Sequence, residues 1–309
     1  MYYRFYGFKE SPFNITPNSQ FFFPSAKHLE ALNTLVYAIT ERKGFVVITG
    51  EIGAGKTTIC RTLINQLDPA TKVALITNTL ISRGDLLTMI LEDLRVEFTP
   101  GPKAKLLSRL NDYLIEQLRN DINVVLIIDE AQNLTPSIFE EVRMLSNLET
   151  EKEKLIQIIF LGQPELKKKL ALNHLEQLRQ RITAFYHLTT LNRKETHEYI
   201  LHRLKIASGT GRLYFTPKAL DLVYEFSRGI PRVINQICDS TLLSGYVREA
   251  YVIDEKIMRE EIQDSPIEQI TKSITKDFTQ PSSQKPKEFG LVNKDSKIIS
   301  LIQETIGDL

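Results

Sequence analysis

Cysteine is scarce in this 309-residue sequence, which contains only Cys60 and Cys238. The two residues lie far apart, form no Cys-x-x-Cys spacing and have apolar, helix-like neighbours. This setting favours buried, reduced thiols over a disulfide framework or a metal site. Reduced thiols are typical of cytoplasmic proteins, so we do not expect a disulfide-stabilised secreted fold.

Long apolar runs and a charge excess are also missing. No apolar stretch approaches the roughly 18 residues that a membrane-spanning helix needs, and the first residues lack the apolar core of a signal peptide. The formal net charge of +1 argues against wholesale coating of a nucleic acid, although a local basic face stays open. With 42% apolar and 25% charged residues, the chain can bury a large core and is expected to form about two domains.

Apolar runs alternate with amphipathic segments in the first part of the chain. Continuous apolar runs predict strands that are buried on both faces, at residues 45–49, 73–77, 124–128, 156–161 and 185–188. Helical patterns lie around them, at residues 29–39, 58–67, 84–94, 104–118, 135–148 and 165–170. The alternation predicts an α/β fold over residues 1–191, an αβα sandwich in which helices cover both faces of a parallel sheet.

The strand pattern disappears after residue 192. Helical patterns at residues 194–208, 217–227, 231–245 and 254–264 predict a small all-helical second domain over residues 192–264. Residues 265–309 are rich in Ser, Lys, Gln and Pro, which predicts a disordered polar linker. Within it, residues 296–306 place several isoleucines and a leucine near one helical face. Two interpretations stay open: this stretch is either a short helix that docks on a partner or on the protein itself, or a frayed tail.

The most informative motif lies between the first predicted strand and the following helix and has the form GxxxxGK[ST]. Its glycines let the backbone curl so that amide groups point at a polyphosphate, and the helix adds its positive end. Lys56 is placed for the outer phosphates and Thr57 for Mg²⁺, while Thr58 caps or packs the helix start. The residues that we assign to ATP binding here are Gly50, Glu51, Ile52, Gly53, Ala54, Gly55, Lys56, Thr57 and Thr58.

Two adjacent acids, Asp129 and Glu130, follow the strand at residues 124–128. The two acids therefore lie at the carboxyl edge of the predicted sheet, which is where open α/β sheets bind ligands. Asp129 can hold Mg²⁺ or its water shell, and Glu130 can polarise the water that attacks the γ-phosphate. An isolated acidic pair is ordinarily a solvated loop, but about 70 residues after a phosphate loop it is the expected partner of Lys56.

Three weaker signals accompany these motifs. Gln163 follows the fourth predicted strand and can reach the γ-phosphate or the attacking water, although alone it would be a turn residue. Arg179 and Arg181 precede the last strand; they are either solvated or placed to enter a neighbouring subunit's site, and the sequence leaves open which of them would do so. Arg232 opens a helix of the second domain, where it is either a surface residue or folds over the nucleotide.

Together these motifs resemble the AAA+ superfamily of P-loop NTPases, and within it the ATPases of the general secretion pathway protein A (ExeA-like) type. That group includes pilus-biogenesis relatives and ATPases found with exosortase and exopolysaccharide systems. The likeness covers about residues 1–264. The segments that carry it are Tyr2 to Phe13, Gly44 to Thr58, Asp129-Glu130-Ala131-Gln132, Gly162-Gln163-Pro164-Glu165-Leu166, Leu178-Arg179-Gln180-Arg181-Ile182 and Gly229 to Asn235.

The resemblance implies Mg²⁺-dependent ATP hydrolysis and assembly into a homo-oligomeric ring or filament, with the second domain acting as a lid. It implies the following roles: Glu130 for the attacking water, Arg181 as the finger that acts in the neighbouring subunit, Gln163 as sensor one, Arg232 as sensor two, Pro12 and Phe13 near the adenine, and Asn78 as the residue that holds Glu130 inactive until a partner engages.

The best-known members of this family continue into a transmembrane helix and a periplasmic peptidoglycan-binding domain, whereas this sequence ends after the polar linker. We therefore expect a cytoplasmic protein that reaches the inner membrane through partners. Its expected task is to energise or regulate an envelope secretion, pilus or exopolysaccharide assembly machine.

Two other functions compete with this one. A DNA-bound AAA+ regulator, similar to those of transposition and origin recognition, would place Lys167, Lys168 and Lys169 or lid arginines on phosphates. The small net charge and the lack of an added DNA-binding module favour the envelope machine. The third possibility is a scaffold that binds ATP without hydrolysing it, and it requires Glu130 to be misplaced.

Overall fold

The computed structural model of this protein describes residues 2–79, 81–207 and 212–264. The sheet and the helical region belong to one compact unit, Met1–Glu268, so the division at residue 191 stays a prediction. The predicted linker at 265–309 and its amphipathic stretch at 296–306 lie outside the described residues. Across the part that is described, we find no helix with the length and apolarity to cross a bilayer.

A five-stranded parallel sheet forms the centre, with the strand order β2-β3-β4-β1-β5. Its strands are β1 (Phe45–Gly50), β2 (Lys72–Ile76), β3 (Val124–Ile128), β4 (Gln157–Gly162) and β5 (Ile182–Leu188). All five predicted strands are confirmed. β5 begins three residues before its predicted start. It is an edge strand in which exposed and less exposed residues alternate, so its first residues do not form a continuous apolar run.

Helices flank the sheet and continue beyond it. In chain order they are α1 (Tyr2–Phe5), α2 (Ala26–Thr40), α3 (Lys56–Gln66), α4 (Arg83–Asp93), α5 (Lys103–Arg119), α6 (Pro136–Leu145), α7 (Pro164–Leu170), α8 (Glu176–Arg179), α9 (Arg193–Ile206), α10 (Pro217–Ser227), α11 (Pro231–Val247) and α12 (Glu255–Asp264). The predicted helices are present with shifted ends. For example, the Ser25 side chain accepts from the His28 amide and starts α2 three residues earlier than its apolar pattern does.

The core consists of one apolar layer on each face of the sheet. Phe45, Leu126 and Phe160 belong to the layer that includes residues of α4, α5 and α6. Ile48 and Ile127 belong to the opposite layer, with residues of α2 and α3. The predicted αβα sandwich is therefore confirmed. The inner strands β1, β3 and β4 are buried on both faces, as predicted, whereas the edge strands β2 and β5 are partly exposed.

The region after β5 is helical, as expected, but it also contains a short parallel pairing of β6 (Tyr214–Phe215) with β7 (Val252–Ile253). Strands of two residues are too short to show a period, so the sequence did not predict them. The N-terminal residues pack on this region: the Tyr6 hydroxyl donates to the carbonyls of Leu242 (3.3 Å) and Ala250 (3.1 Å).

Both cysteines are buried and unpaired, as predicted. Cys60 lies in α3 and Cys238 in α11. Burial raises the pKa of the Cys60 thiol to about 12, and it also raises that of Cys238. Such thiols stay protonated at neutral pH and are unreactive.

A glycine controls the approach between the end of the sheet and the helical region. Gly229 has φ of 73°, and a Cβ built there would lie 1.7 Å from the carbonyl oxygen of Leu191. The Leu191 amide donates to the Gly229 carbonyl at 2.9 Å. Any side chain at this position would push the two segments apart.

We expect Gly229→Ala to lower the free energy of unfolding by roughly 2–4 kcal/mol, because alanine meets both the positive φ and the Leu191 carbonyl. Gly84→Ala is the matched control. Its new Cβ would lie 3.8 Å from the Ser82 hydroxyl oxygen, which is an ordinary contact, and alanine is more favourable than glycine inside a helix. Urea unfolding of the two variants and the wild type measures the difference. Equal midpoints for the two variants would contradict the steric argument.

Candidate active site

The phosphate loop, residues 50–58, connects β1 to α3. Gly53 and Gly55 have φ of 79° and 103°, values that side chains disfavour. A Cβ on Gly50 would lie 2.9 Å from the Leu188 carbonyl oxygen. Among the described residues no side chain caps α3, so its first amide groups face the loop. The tight curl and the helix start fit a polyphosphate.

Lys56 lies inside this loop and is only 5% exposed. Its ammonium donates to the carbonyls of Gly50 (2.7 Å) and Glu51 (3.0 Å). Burial lowers the pKa of Lys56, and the nearby carboxylates of Glu130 and Asp129 oppose that shift. Neutral carbonyls are weaker partners for an ammonium than phosphate oxygens are, so an incoming phosphate can replace them.

Thr57 and Asp129 meet where the loop faces the end of β3. The Thr57 hydroxyl donates to Asp129 Oδ2 at 3.0 Å, and the Glu130 amide donates to Asp129 Oδ1 at 2.9 Å. Burial raises the pKa of Asp129, while these two hydrogen bonds lower it. A hydroxyl and a carboxylate are hard oxygen ligands, so the pair fits Mg²⁺ with its coordinated water and phosphate.

Glu130 is held by two amide side chains. Its Oε2 accepts from Gln132 Nε2 at 2.5 Å and from Gln163 Nε2 at 3.1 Å, and Gln132 Oε1 accepts from the Gln163 amide at 3.0 Å. Glu130 itself has φ of 51°, an unusual conformation for this residue type that this network holds. The structure thus brings the predicted Gln163 to Glu130 and adds Gln132, to which the sequence analysis gave no role.

The helical region touches the phosphate loop directly. The Arg232 amide donates to the Gly53 carbonyl at 3.3 Å, and a Cβ on Gly53 would lie 2.6 Å from Arg232 Cβ. Arg232 is exposed and lines a cavity of about 300 Å³ together with Lys56, Thr57 and Glu130. Arg232 thus lies beside the phosphate loop, and its folding over the nucleotide stays a prediction.

An N-terminal segment forms another wall of this cavity. Pro12 and Phe13 are buried, and the residues that follow them, at positions 14–18 and 21–23, line the cavity instead. Arg203 of α9 holds this segment: its guanidinium donates to the Pro12 carbonyl at 2.6 Å and to the Asn14 carbonyl at 3.2 Å, and lies 4.7 Å from the centre of the Phe21 ring. A lone arginine in a helix carries no motif, so the sequence gave no sign of this role.

Arg179 and Arg181 lie at the opposite edge of the sheet. Arg181 precedes β5, whose first residue pairs with Phe45, so it is roughly 17 Å along the strands from the phosphate loop. The Arg181 guanidinium donates to the Ser146 hydroxyl at 2.6 Å, and that of Arg179 donates to the carbonyls of Leu170 and Ala171 at the end of α7. Neither arginine can serve the site of its own chain in this arrangement.

Asn78 and the three lysines of α7 are the remaining residues that the sequence analysis singled out. Asn78 is exposed and lies two residues after β2, and its control of Glu130 stays a prediction. In α7, Lys167 and Lys168 are exposed, whereas Lys169 donates to the Leu134 carbonyl at 3.2 Å. A small basic face therefore exists near the carboxyl end of β4.

Comparison with known proteins identifies the family. The profile described as "AAA domain" matches residues 39–170. General secretion pathway protein A of Aeromonas hydrophila is 42% identical over 254 residues, which is 82% of this chain and 46% of that protein. The chain thus spans about half the length of that relative.

Solved structures share the fold. Cdc6p from Pyrobaculum aerophilum matches with a TM-score of 0.63 and 17% identity over 80% of this chain and 71% of that one. The ORC2 protein of Aeropyrum pernix, solved as ADPNP-ADP complexes, matches with a TM-score of 0.59 and 13% identity over 81% and 72%. By its sequence relative, its domain profile and its fold, the chain belongs to the AAA+ family of P-loop NTPases, in the group of general secretion pathway protein A.

Proposed function

We propose that this protein hydrolyses ATP with Mg²⁺, assembles into homo-oligomers, and energises or regulates an envelope secretion, pilus or exopolysaccharide assembly machine from the cytoplasmic side. The observation that carries the hydrolysis proposal is the meeting of Lys56, Thr57 and the Asp129–Glu130 pair at one edge of the sheet. A binding scaffold would have no need for a carboxylate held in this position.

The chain's own groups divide the chemistry between them. Amide groups of the phosphate loop and the Lys56 ammonium bind the β- and γ-phosphates. Thr57 and Asp129 hold Mg²⁺, which when bound neutralises charge that develops on the phosphates. Glu130 accepts a proton from the attacking water. At the same time the water oxygen bonds to the γ-phosphorus, and the bond between the γ-phosphorus and the bridging β-phosphate oxygen breaks. Gln132 and Gln163 fix the direction of the Glu130 carboxylate.

Oligomer formation would complete the site. Arg181 lies at the sheet edge remote from its own phosphate loop, which supports a role in the site of a neighbouring copy. In this arrangement Arg232, beside Gly53, reports hydrolysis to the helical region. The hydrogen bond from Arg181 to the Ser146 hydroxyl would have to break for the guanidinium to enter that site.

The pathway and location rest on the relative. Its name attaches that relative to the general secretion pathway, and it matches 82% of this chain at 42% identity. We infer from this similarity a place among envelope machinery at the inner membrane, reached through partner proteins. The exposed Lys167 and Lys168 keep a DNA-dependent activity as the alternative to be tested.

Lys56→Ala is expected to weaken ATP and ADP binding by roughly 100-fold, about 3 kcal/mol, because the buried ammonium is the main positive charge that the phosphates meet. Lys168→Ala, an exposed lysine on α7, should bind like the wild type. Titration with a fluorescent nucleotide analogue measures both. Unchanged affinity in Lys56→Ala would place the nucleotide elsewhere.

Glu130→Gln should keep ATP binding but lower turnover by about 100-fold or more, because glutamine cannot accept the proton from water. Glu116→Gln, an exposed acid on α5, is the control. Phosphate release is measured for each protein with and without duplex DNA. Wild-type turnover that is indifferent to DNA supports the envelope machine, strong stimulation by DNA supports the DNA-bound regulator, and no turnover under any condition supports the scaffold.

Arg181→Ala should bind ATP normally and lose turnover by roughly 1000-fold, as expected for an arginine finger, whereas Arg179→Ala should remain active. Mixing Arg181→Ala with Glu130→Gln protein should restore part of the activity, because some interfaces then combine an intact Glu130 with an intact Arg181. Size measurements with and without ATP accompany the assay. No rescue at any mixing ratio would count against a finger that acts between copies.

A further inference from the structure

His28 lies against the phosphate loop, although it comes 26 residues before Ala54 in the chain. It is on the first turns of α2 and is 6% exposed. Its Nε2 is 3.0 Å from the Ala54 carbonyl oxygen, and its Nδ1 is 2.7 Å from the Ser25 hydroxyl. The ring also forms part of the cavity wall beside Gly55 and Lys56.

The hydrogen-bond partners define the state of the ring. A carbonyl oxygen only accepts, so Nε2 carries the proton and donates to Ala54, and Nδ1 accepts from the Ser25 hydroxyl. Burial lowers the pKa of His28, which favours this neutral form. Because Ser25 is the N-cap of the same helix, the direction of the ring is fixed by α2 and not by the loop.

The bond to Ala54 has a geometric effect on the next amide. In a trans peptide the C=O and N–H groups point in opposite directions, so the ring that holds the Ala54 carbonyl turns the Gly55 N–H away from itself. Gly53 and Gly55 flank Ala54, and two glycines leave this stretch of backbone free to adopt other conformations. The ring also stands 2.9 Å from the position of a Cβ on Gly55, so it restricts the loop sterically as well.

We propose that His28 is a positioning residue of the nucleotide site, which locks the peptide between Ala54 and Gly55 in the orientation that binds phosphate. The proposal rests on nucleotide binding at the phosphate loop and does not require hydrolysis. The ring acts through the loop backbone, and its effect therefore falls on affinity for nucleotides and on the mobility of the loop.

The test compares ADP affinity by calorimetry in wild type, His28→Phe and His28→Gln. His28→Phe keeps a ring without a donor and should bind ADP about 10-fold more weakly, whereas His28→Gln, whose amide can donate to the Ala54 carbonyl, should recover part of that loss. His197→Phe is the matched control, since His197 Nε2 lies 3.1 Å from the Asp221 carboxylate and neither residue lines the cavity; it should stay within about twofold of wild type. Hydrogen exchange of the loop amides without nucleotide should be faster in His28→Phe than in the control.

Wild-type affinity in a folded His28→Phe protein would overturn the proposal, as would an equal loss in His197→Phe. If His28→Phe does not fold, as judged by thermal unfolding, His28→Leu, whose side chain is smaller, replaces it with the same expectation. A wild type that binds ADP but never hydrolyses ATP would refute the proposed hydrolysis and leave the His28 comparison intact. A wild type that binds no ADP would overturn both.

Discussion

The contact between Thr57 and Asp129 is the constraint on which the site depends, because it joins the tips of two strands that are not neighbours. β4 lies between β1 and β3, which separates their axes by roughly 10 Å. Thr57, at the start of α3, reaches Asp129 across that distance, and Gln163, which follows β4, donates to Glu130. The strand order therefore determines which side chains can share one ligand.

Holding this arrangement has a cost that the core must offset. Lys56 and Asp129 are buried, so both give up hydration, and Glu130 has a left-handed backbone conformation. The strand that leads to the acid pair, β3, consists of apolar residues alone, and all of them are buried. A buried, closely packed strand of this kind holds the charged side chains at its end in fixed positions.

The sequence predicted those parts of the fold that have a period or a motif. Buried strands read as apolar runs, and the loop glycines and the acid pair have spacings dictated by their ligand. The start of β5 was predicted three residues too late, because exposure alternates along this edge strand, and β6 and β7 were missed, because a two-residue strand has no pattern. The roles of His28, Gln132 and Arg203 come from contacts between distant segments, and single residues in helices carry no sign of such contacts.

The N-terminal stretch has a practical meaning for handling this protein. Its first aromatic residues are anchored on α11, its middle is tied to α9 by Arg203, and its end leads into α2 beneath the phosphate loop. The stretch thus connects the helical region to the helix that precedes the sheet. Deleting it would therefore remove one wall of the cavity.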